Sequence, residues 1–139
     1  MAPRPRPHRE RVLAKTAIMP SGCVEWTGAR QRGYGVAEQP SGKTGVAHRV
    51  VYELLAGPIP EGETLDHLCR NRACVNPGHL EPVSRGENTM RGDTIAAANA
   101  AKTHCKRGHG LHGDNLEPYA LRRGKRACVT CRRARRNAA

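Results

Sequence analysis

Between Asp66 and His79 the chain reads DHLCRNRACVNPGH, which puts two histidines, two cysteines and an aspartate in one short segment. Thiols and imidazoles of this kind can close around a structural metal ion. An imidazole and a carboxylate can equally serve as base and cation ligand in a hydrolysis. A second group lies further on, where Cys105 and His109 form a Cys-x3-His pair and Cys128 and Cys131 a Cys-x2-Cys pair. The 18 residues between the pairs suit a zinc ribbon held by Cys105, His109, Cys128 and Cys131, with LEPYALRRGKRAC as its hairpin. His104 and His112 compete as ligands; His109 is preferred because Gly108 lets the chain turn back tightly.

The composition explains why such sites are needed. The 139 residues include no Phe, one Trp and three Tyr, against six Cys and seven His. So thin an apolar core leaves the entropy of ordering the chain unbalanced, and a cross-link must make up the difference. The N-terminus, MAPRPRPHRER, has no apolar stretch of the secretory kind, and no segment stays apolar long enough to span a membrane. The expected setting is therefore the cytoplasm. Thiols stay reduced there, so the short Cys and His spacings read as zinc rather than disulfide.

Charge is unevenly placed. Residues 1–15 carry +4, residues 16–101 carry −1 and residues 102–139 carry +9, within a net charge of +12. Two basic ends around a near-neutral body suit a phosphate backbone and make binding salt-dependent. Solubilising tails are the plainer use of the same charges.

The elements that would position these residues can be read coarsely. Residues 1–20, alternating Pro and Arg at first, read as a basic disordered arm. The stretch from Cys23 to Val50 alternates and turns at Pro40–Lys43, which predicts a short antiparallel sheet. A helix is expected from His48 to Ala56, stopped by Gly57-Pro58. GETLDHLC predicts a strand, RNRACVNPG a loop and HLEPVS a second strand. Ser84 followed by Glu87 is a capping box, so a helix should begin after Ser84 with Asn88 in its first turn. Residues 93–102 read as a helical connector, and 103–139 as a basic zinc-binding module.

Strand, loop, strand and helix, carrying Asp66-His67, Asn76-Pro77-Gly78-His79-Leu80-Glu81 and Glu87-Asn88, resemble the phage-type HNH endonucleases. The likeness runs from about Cys23 to Gly92, within an expected nuclease domain of residues 21–92, and includes GYG, AHRVVYE and GPIPEG. It implies a small α+β fold, with a ββα-metal nuclease core behind an N-terminal antiparallel sheet. His67 would activate water, since a neutral imidazole is available near pH 7. Asp66 and Asn88 stand where the family places its ligands for Mg2+, Mn2+ or a similar divalent ion, which prefers oxygen donors. Arg49, beside His48 at the start of the preceding helix, could face the scissile phosphate.

The segment around His67, Leu68, Cys69, Cys74, Asn76, Pro77 and His79 also resembles the His-Cys box homing endonucleases. That likeness implies a structural zinc on Cys23, Cys69, Cys74 and His79, although Cys23 also reads as a small buried thiol. Asp66 departs from the His-Cys box pattern. Residues 103–139 resemble the small zinc modules appended to phage HNH proteins.

Taken together, the sequence predicts a zinc-stapled endonuclease cutting double-stranded DNA, by nick or double-strand cut, as a monomer or a homodimer. Arg30, Arg32, Tyr34 and Lys43 of the first sheet are candidate groove contacts. Arg122, Arg123, Lys125, Arg126, Arg132 and Arg133, with Arg135 and Arg136, are candidate phosphate contacts. A zinc-dependent DNA-binding regulator without catalysis would share the charge and cysteines, but would need neither His67 nor Asn88. An RNA-binding zinc protein is a third class, disfavoured by the scarcity of aromatic residues.

Overall fold

A computed structural model describes residues 6–138. The chain divides into two compact units, one up to Asn88 and one from Thr89. No helix among the described residues is long and apolar enough to cross a membrane.

The first unit opens with helix α1 (His8–Leu13) and strand β1 (Thr16–Ile18), which pairs antiparallel with β2 (Val24–Trp26). Residues 1–20 were expected to be a disordered arm, and the structure corrects that expectation from His8 onward. Val12 is buried in the core, and His8 Nε2 lies 2.7 Å from the carbonyl oxygen of Glu38, so a short apolar anchor outweighs the basic composition. Residues 1–5 of that arm lie outside the described residues.

Strands β3 (Arg30–Gln31), β4 (Tyr34–Glu38) and β5 (Thr44–Val46) form an antiparallel sheet. The β4–β5 turn falls at 39–43, as the sequence predicts. A further two-residue turn at Arg32–Gly33 joins β3 to β4, with φ of 51° and 87°. The sequence hides it, because Arg-Gly lacks the Asn-Gly or Asp-Gly signature of such hairpins.

Helix α2 (Ala47–Leu55) lays Ala47, Val50, Val51 and Leu54 along one side, the i, i+3, i+4, i+7 pattern of a core-facing helix. That side meets Trp26, Ala37, Val12 and Val75. Trp26 is 1% exposed. A Cβ on Gly35 would sit 2.6 Å from the Trp26 ring, so only glycine lets β4 pass over it.

Strands β6 (Glu63–His67) and β7 (Leu80–Ser84) pair antiparallel, with Asp66 opposite Glu81 and His67 opposite Leu80. Helix α3 (Arg85–Arg91) follows directly, and the Glu87 amide donates to Ser84 Oγ at 3.1 Å, as the capping box predicts. The boundary between the two units falls inside this helix.

The second unit contains α4 (Ile95–Ala101), capped by Thr94, then α5 (Pro118–Arg122) and α6 (Val129–Asn137). Here the expected zinc-ribbon hairpin is corrected. The chain does double back, since the Glu117 amide donates to the Ala127 carbonyl at 2.9 Å and Leu116 bridges Cys128. Between those points it forms α5, because Pro118 at the first helical position is followed by Ala120, Leu121 and Arg122, all good helix formers. Cys128 opens α6 and puts Cys131 in its first turn.

Candidate active site and metal centres

The connection from β6 to β7, residues 68–79, has no strand partner of its own length and must be tied down. It is strapped to β2 by backbone bonds from Val75 N to Val24 O (2.7 Å) and from Trp26 N to Ala73 O (2.9 Å). Asn71 adds its side chain, donating to Glu25 Oε1 at 2.7 Å and accepting from the Ala73 amide at 3.0 Å. These ties bring Cys69, Cys74 and His79 to Cys23, just ahead of β2.

The ligand atoms of Cys23, Cys69, Cys74 and His79 all lie within 4.8 Å of one another, as do those of Cys105, His109, Cys128 and Cys131. Each set could hold a metal ion. In the first, His79 Nδ1 is 3.7 Å from both Cys23 Sγ and Cys74 Sγ. In the second, Cys105 Sγ is 3.6 Å from Cys131 Sγ and 3.5 Å from His109 Nδ1. A tetrahedral ion with ordinary Zn–S and Zn–N bonds needs edges of about 3.6 Å for S···N and about 3.8 Å for S···S. The S···N distances of both clusters, and the S···S distance of the second, are close to those edges. Burial pushes the Cys74 thiol up to about 11, so a thiolate there calls for a cation beside it.

Asp66 and His67 are neighbours in β6 and therefore face opposite sides of the hairpin. His67, 8% exposed, has its Nε2 3.1 Å from the Cys74 carbonyl oxygen. A carbonyl can only accept, so Nε2 carries the proton and, in the neutral ring, Nδ1 carries the lone pair. Burial holds the His67 pKa below its ordinary value, and the neighbouring Arg70 charge adds to this; the Cys74 hydrogen bond and Asp66 oppose it.

The His67 ring also meets two more rings. His48 of α2 lies edge-on at 4.7 Å between centroids, and Tyr34 of β4 at 6.0 Å. Arg72 sits with its guanidinium carbon 5.6 Å from the Tyr34 centroid. His48 is buried with Nδ1 making no hydrogen bond among the described residues, and burial, then the charges of His67 and Arg49, lowers its pKa to about 4.

Asp66, 3% exposed, accepts from Arg70 Nη1 at 2.9 Å. Arg70 reaches it from a left-handed backbone, φ 56°. Asn88 is half-buried in the first turn of α3. Arg49 is half-buried on α2.

The expected nucleic-acid contacts differ in what they already hold. Arg30 donates to the Trp26 carbonyl through Nε and Nη2, at 3.1 and 2.6 Å, and pairs with Glu25. Arg32 is exposed at the tip of the β3–β4 turn and Lys43 in the β4–β5 turn. In the second unit, Arg126 donates to the carbonyls of Ala100 (2.9 Å), Lys102 (2.7 Å) and Leu111 (2.8 Å). Arg132 is ion-paired with Glu117, and Arg123 lies over Tyr119. Arg122, Lys125, Arg133, Arg135 and Arg136 are exposed.

Arg70 and Arg72 do not stand out in the sequence. The only signal there is two arginines flanking Asn71 between the cysteines, a pattern that by itself reads as solvated loop.

The fold and site thus define a small α+β protein with two Cys/His clusters able to bind metal. A family model described as HNH endonuclease matches residues 46–90, from the end of β5 through most of α3. Protein 2.8 of Escherichia phage T7 is 39% identical over 83 residues, covering 58% of this chain and 56% of that protein. Protein 7.7 of the same phage is 42% identical over 81 residues, covering 58% and 60%. The uncharacterized gene 5.3 protein of Enterobacteria phage T3 is 34% identical over 80 residues, covering 52% of this chain and 79% of that protein. The chain spans less than two thirds of the two T7 relatives it matches. No solved structure matches it. The chain belongs to the HNH endonuclease family, in a phage-type setting.

Proposed function

We propose that this protein is a metal-dependent endonuclease that hydrolyses phosphodiester bonds in double-stranded DNA. The hydrogen bond from His67 Nε2 to the Cys74 carbonyl supports this reading most directly. It fixes the tautomer and aim of a buried, neutral imidazole, which is what a general base near pH 7 requires. His67 Nδ1 takes the proton from water as it attacks phosphorus in line with the leaving 3′ oxygen. Asp66 and Asn88 offer hard oxygen donors and would hold a Mg2+-type ion. Such an ion, when bound, stabilises charge on the phosphorane and on the leaving oxygen. The products would carry 5′-phosphate and 3′-hydroxyl ends.

The hairpin and α3 fit a ββα-metal core in this reading. The two Cys/His clusters, three thiols and one imidazole each, suit closed structural zinc sites that leave no position for water. The exposed arginines of α6 would hold backbone phosphates without reading sequence.

The test is cleavage of supercoiled plasmid by purified protein, with and without Mg2+, alongside His67→Ala. A nicked or linear product that falls about 10²–10⁴-fold in the variant is expected. DNA left intact by both proteins yet shifted on a gel would replace the enzyme with a DNA-binding regulator.

A further inference from the structure

Arg72, in the loop between β6 and β7, has its guanidinium over an aromatic face. Arg70 is held by Asp66, Arg30 by Glu25 and the Trp26 carbonyl, and Arg11 by Glu38. Arg72 is exposed and makes no ion pair among the described residues; its neighbour is the face of Tyr34.

Its position is nevertheless fixed from both sides. Asn71 before it is bonded to Glu25 and to the Ala73 amide, and the Ala73 carbonyl after it is bonded to β2. Cys69 and Cys74, both of the first Cys/His cluster, bracket the loop. From above, the β3–β4 turn passes close, since a Cβ on Gly33 would lie 3.4 Å from Arg72 Cδ. Gly33 has φ 87° and no side chain, so the arginine stem lies against the turn and its guanidinium over Tyr34. Tyr34 in turn stands against His67. One ring therefore separates a preorganised, unpaired guanidinium from the candidate base.

We infer that Arg72 is a phosphate-holding residue of this site: it donates to the non-bridging oxygens of a backbone phosphate of the strand presented to His67, with Tyr34 as the rigid spacer between them. A planar guanidinium is suited to bidentate phosphate contact, and its weak hydration favours stacking on an aromatic face at the same time. The inference rests on the nuclease reading for its role, and on geometry alone for its contact.

Binding to a duplex is measured in the His67→Ala background across a salt series, with Arg72→Gln and Arg72→Lys added, and cleavage is measured with the same two substitutions in the otherwise native chain. Losing one phosphate contact lowers the slope of log K against log salt by about 0.9. Arg72→Gln should show that loss and a cleavage rate at least tenfold down, with metal content and unfolding midpoint unchanged. Arg72→Lys should restore the slope but not the full rate. An unchanged slope in Arg72→Gln overturns the inference, even if cleavage falls, because that would be a structural effect. If Arg72→Gln fails to fold, Arg72→Lys decides, and a rate and slope both equal to native overturn the inference. If the native protein cuts nothing while Arg72→Gln still loses the slope, the nuclease reading fails and the phosphate contact stands. If the native chain binds no nucleic acid at low salt, both fail.

Discussion

The Nε2 of His67 lies 3.1 Å from the carbonyl oxygen of Cys74, a residue whose thiol belongs to the first Cys/His cluster. One residue thus ties the candidate base to the candidate metal centre. The imidazole is aimed by a backbone carbonyl, and that carbonyl is held in place by whatever the cluster binds.

Replacing Cys74 with Ser should therefore damage both. Structural zinc contributes roughly 10–16 kcal/mol of apparent binding energy, against a folding margin of about 5–15 kcal/mol. The expected outcome is the loss of one metal ion per chain by elemental analysis, with loss of the cooperative unfolding of the first unit. Cys131→Ser should remove the other ion and leave the first unit's transition intact. A Cys74→Ser protein that keeps both its metal content and its melting profile would refute the cluster as a structural centre.

His48 gives the first unit a pH dependence of definite sign. Burial beside His67, Tyr34 and Arg49 lowers its pKa to about 4, while the unfolded chain keeps the ordinary value near 6.5. Above pH 6.5 both states are neutral there and the group contributes nothing. As pH falls below that value the unfolded chain takes up the proton and the folded one does not, so stability declines until about pH 4. The full effect is about 3 kcal/mol. Acid also releases metal from the clusters, so the measurement is the difference between native and His48→Gln unfolding free energies across this window. Parallel curves would show that His48 carries none of the dependence.

How far the sequence carried this picture depends on the kind of signal each residue leaves. The β6–loop–β7–α3 order was legible because Ser84 and Glu87 cap a helix in a way few other arrangements allow, and the structure keeps that bond. Most of both Cys/His clusters was legible because Cys and His at short spacing leave few alternatives, while distant Cys23 came only from the His-Cys box likeness; the structure brings the eight residues into two groups that could hold metal. Helix α1 was missed because its anchor is one buried valine inside a Pro-Arg background. The α5 turn was missed because pairs of ligands fix where a segment returns, not what it forms on the way. The Arg72–Tyr34–His67 relationship was out of reach, since it joins distant parts of the chain through side-chain direction alone.

The Arg70–Asp66 pair bears on cation binding. Arg70 is more than half exposed, so removing it costs less than breaking a fully buried pair, about 1–2 kcal/mol after allowing for solvent screening. It also competes with any divalent ion for the same carboxylate. Arg70→Ala should be less stable without divalent ions and should gain more from them, so that the Mn2+-induced rise in unfolding midpoint is larger than in the native chain. A smaller rise would mean that Asp66 does not take part in holding the ion. Arg70→Lys, which keeps the charge, should fall between the two.

Arg126 and Arg133 separate structural from nucleic-acid-facing charge in the second unit. The Arg126 guanidinium donates to the carbonyls of Ala100 and Lys102 at the C-terminal end of α4 and to that of Leu111, satisfying acceptors that the helix leaves open. Arg126→Ala removes those solvent-exposed bonds and should cost about 1 kcal/mol of the second unit's stability. Arg133 is exposed on α6 and makes no ion pair among the described residues, so Arg133→Ala should leave stability within about 0.5 kcal/mol of native. It should instead weaken DNA binding and lower its salt slope by roughly one contact. Melting and salt-titrated binding on the two variants distinguish these roles. The reverse result, a stable Arg126→Ala that binds poorly and an unstable Arg133→Ala that binds normally, would mean that hydrogen bonds to carbonyls do not mark which arginines are committed to the fold.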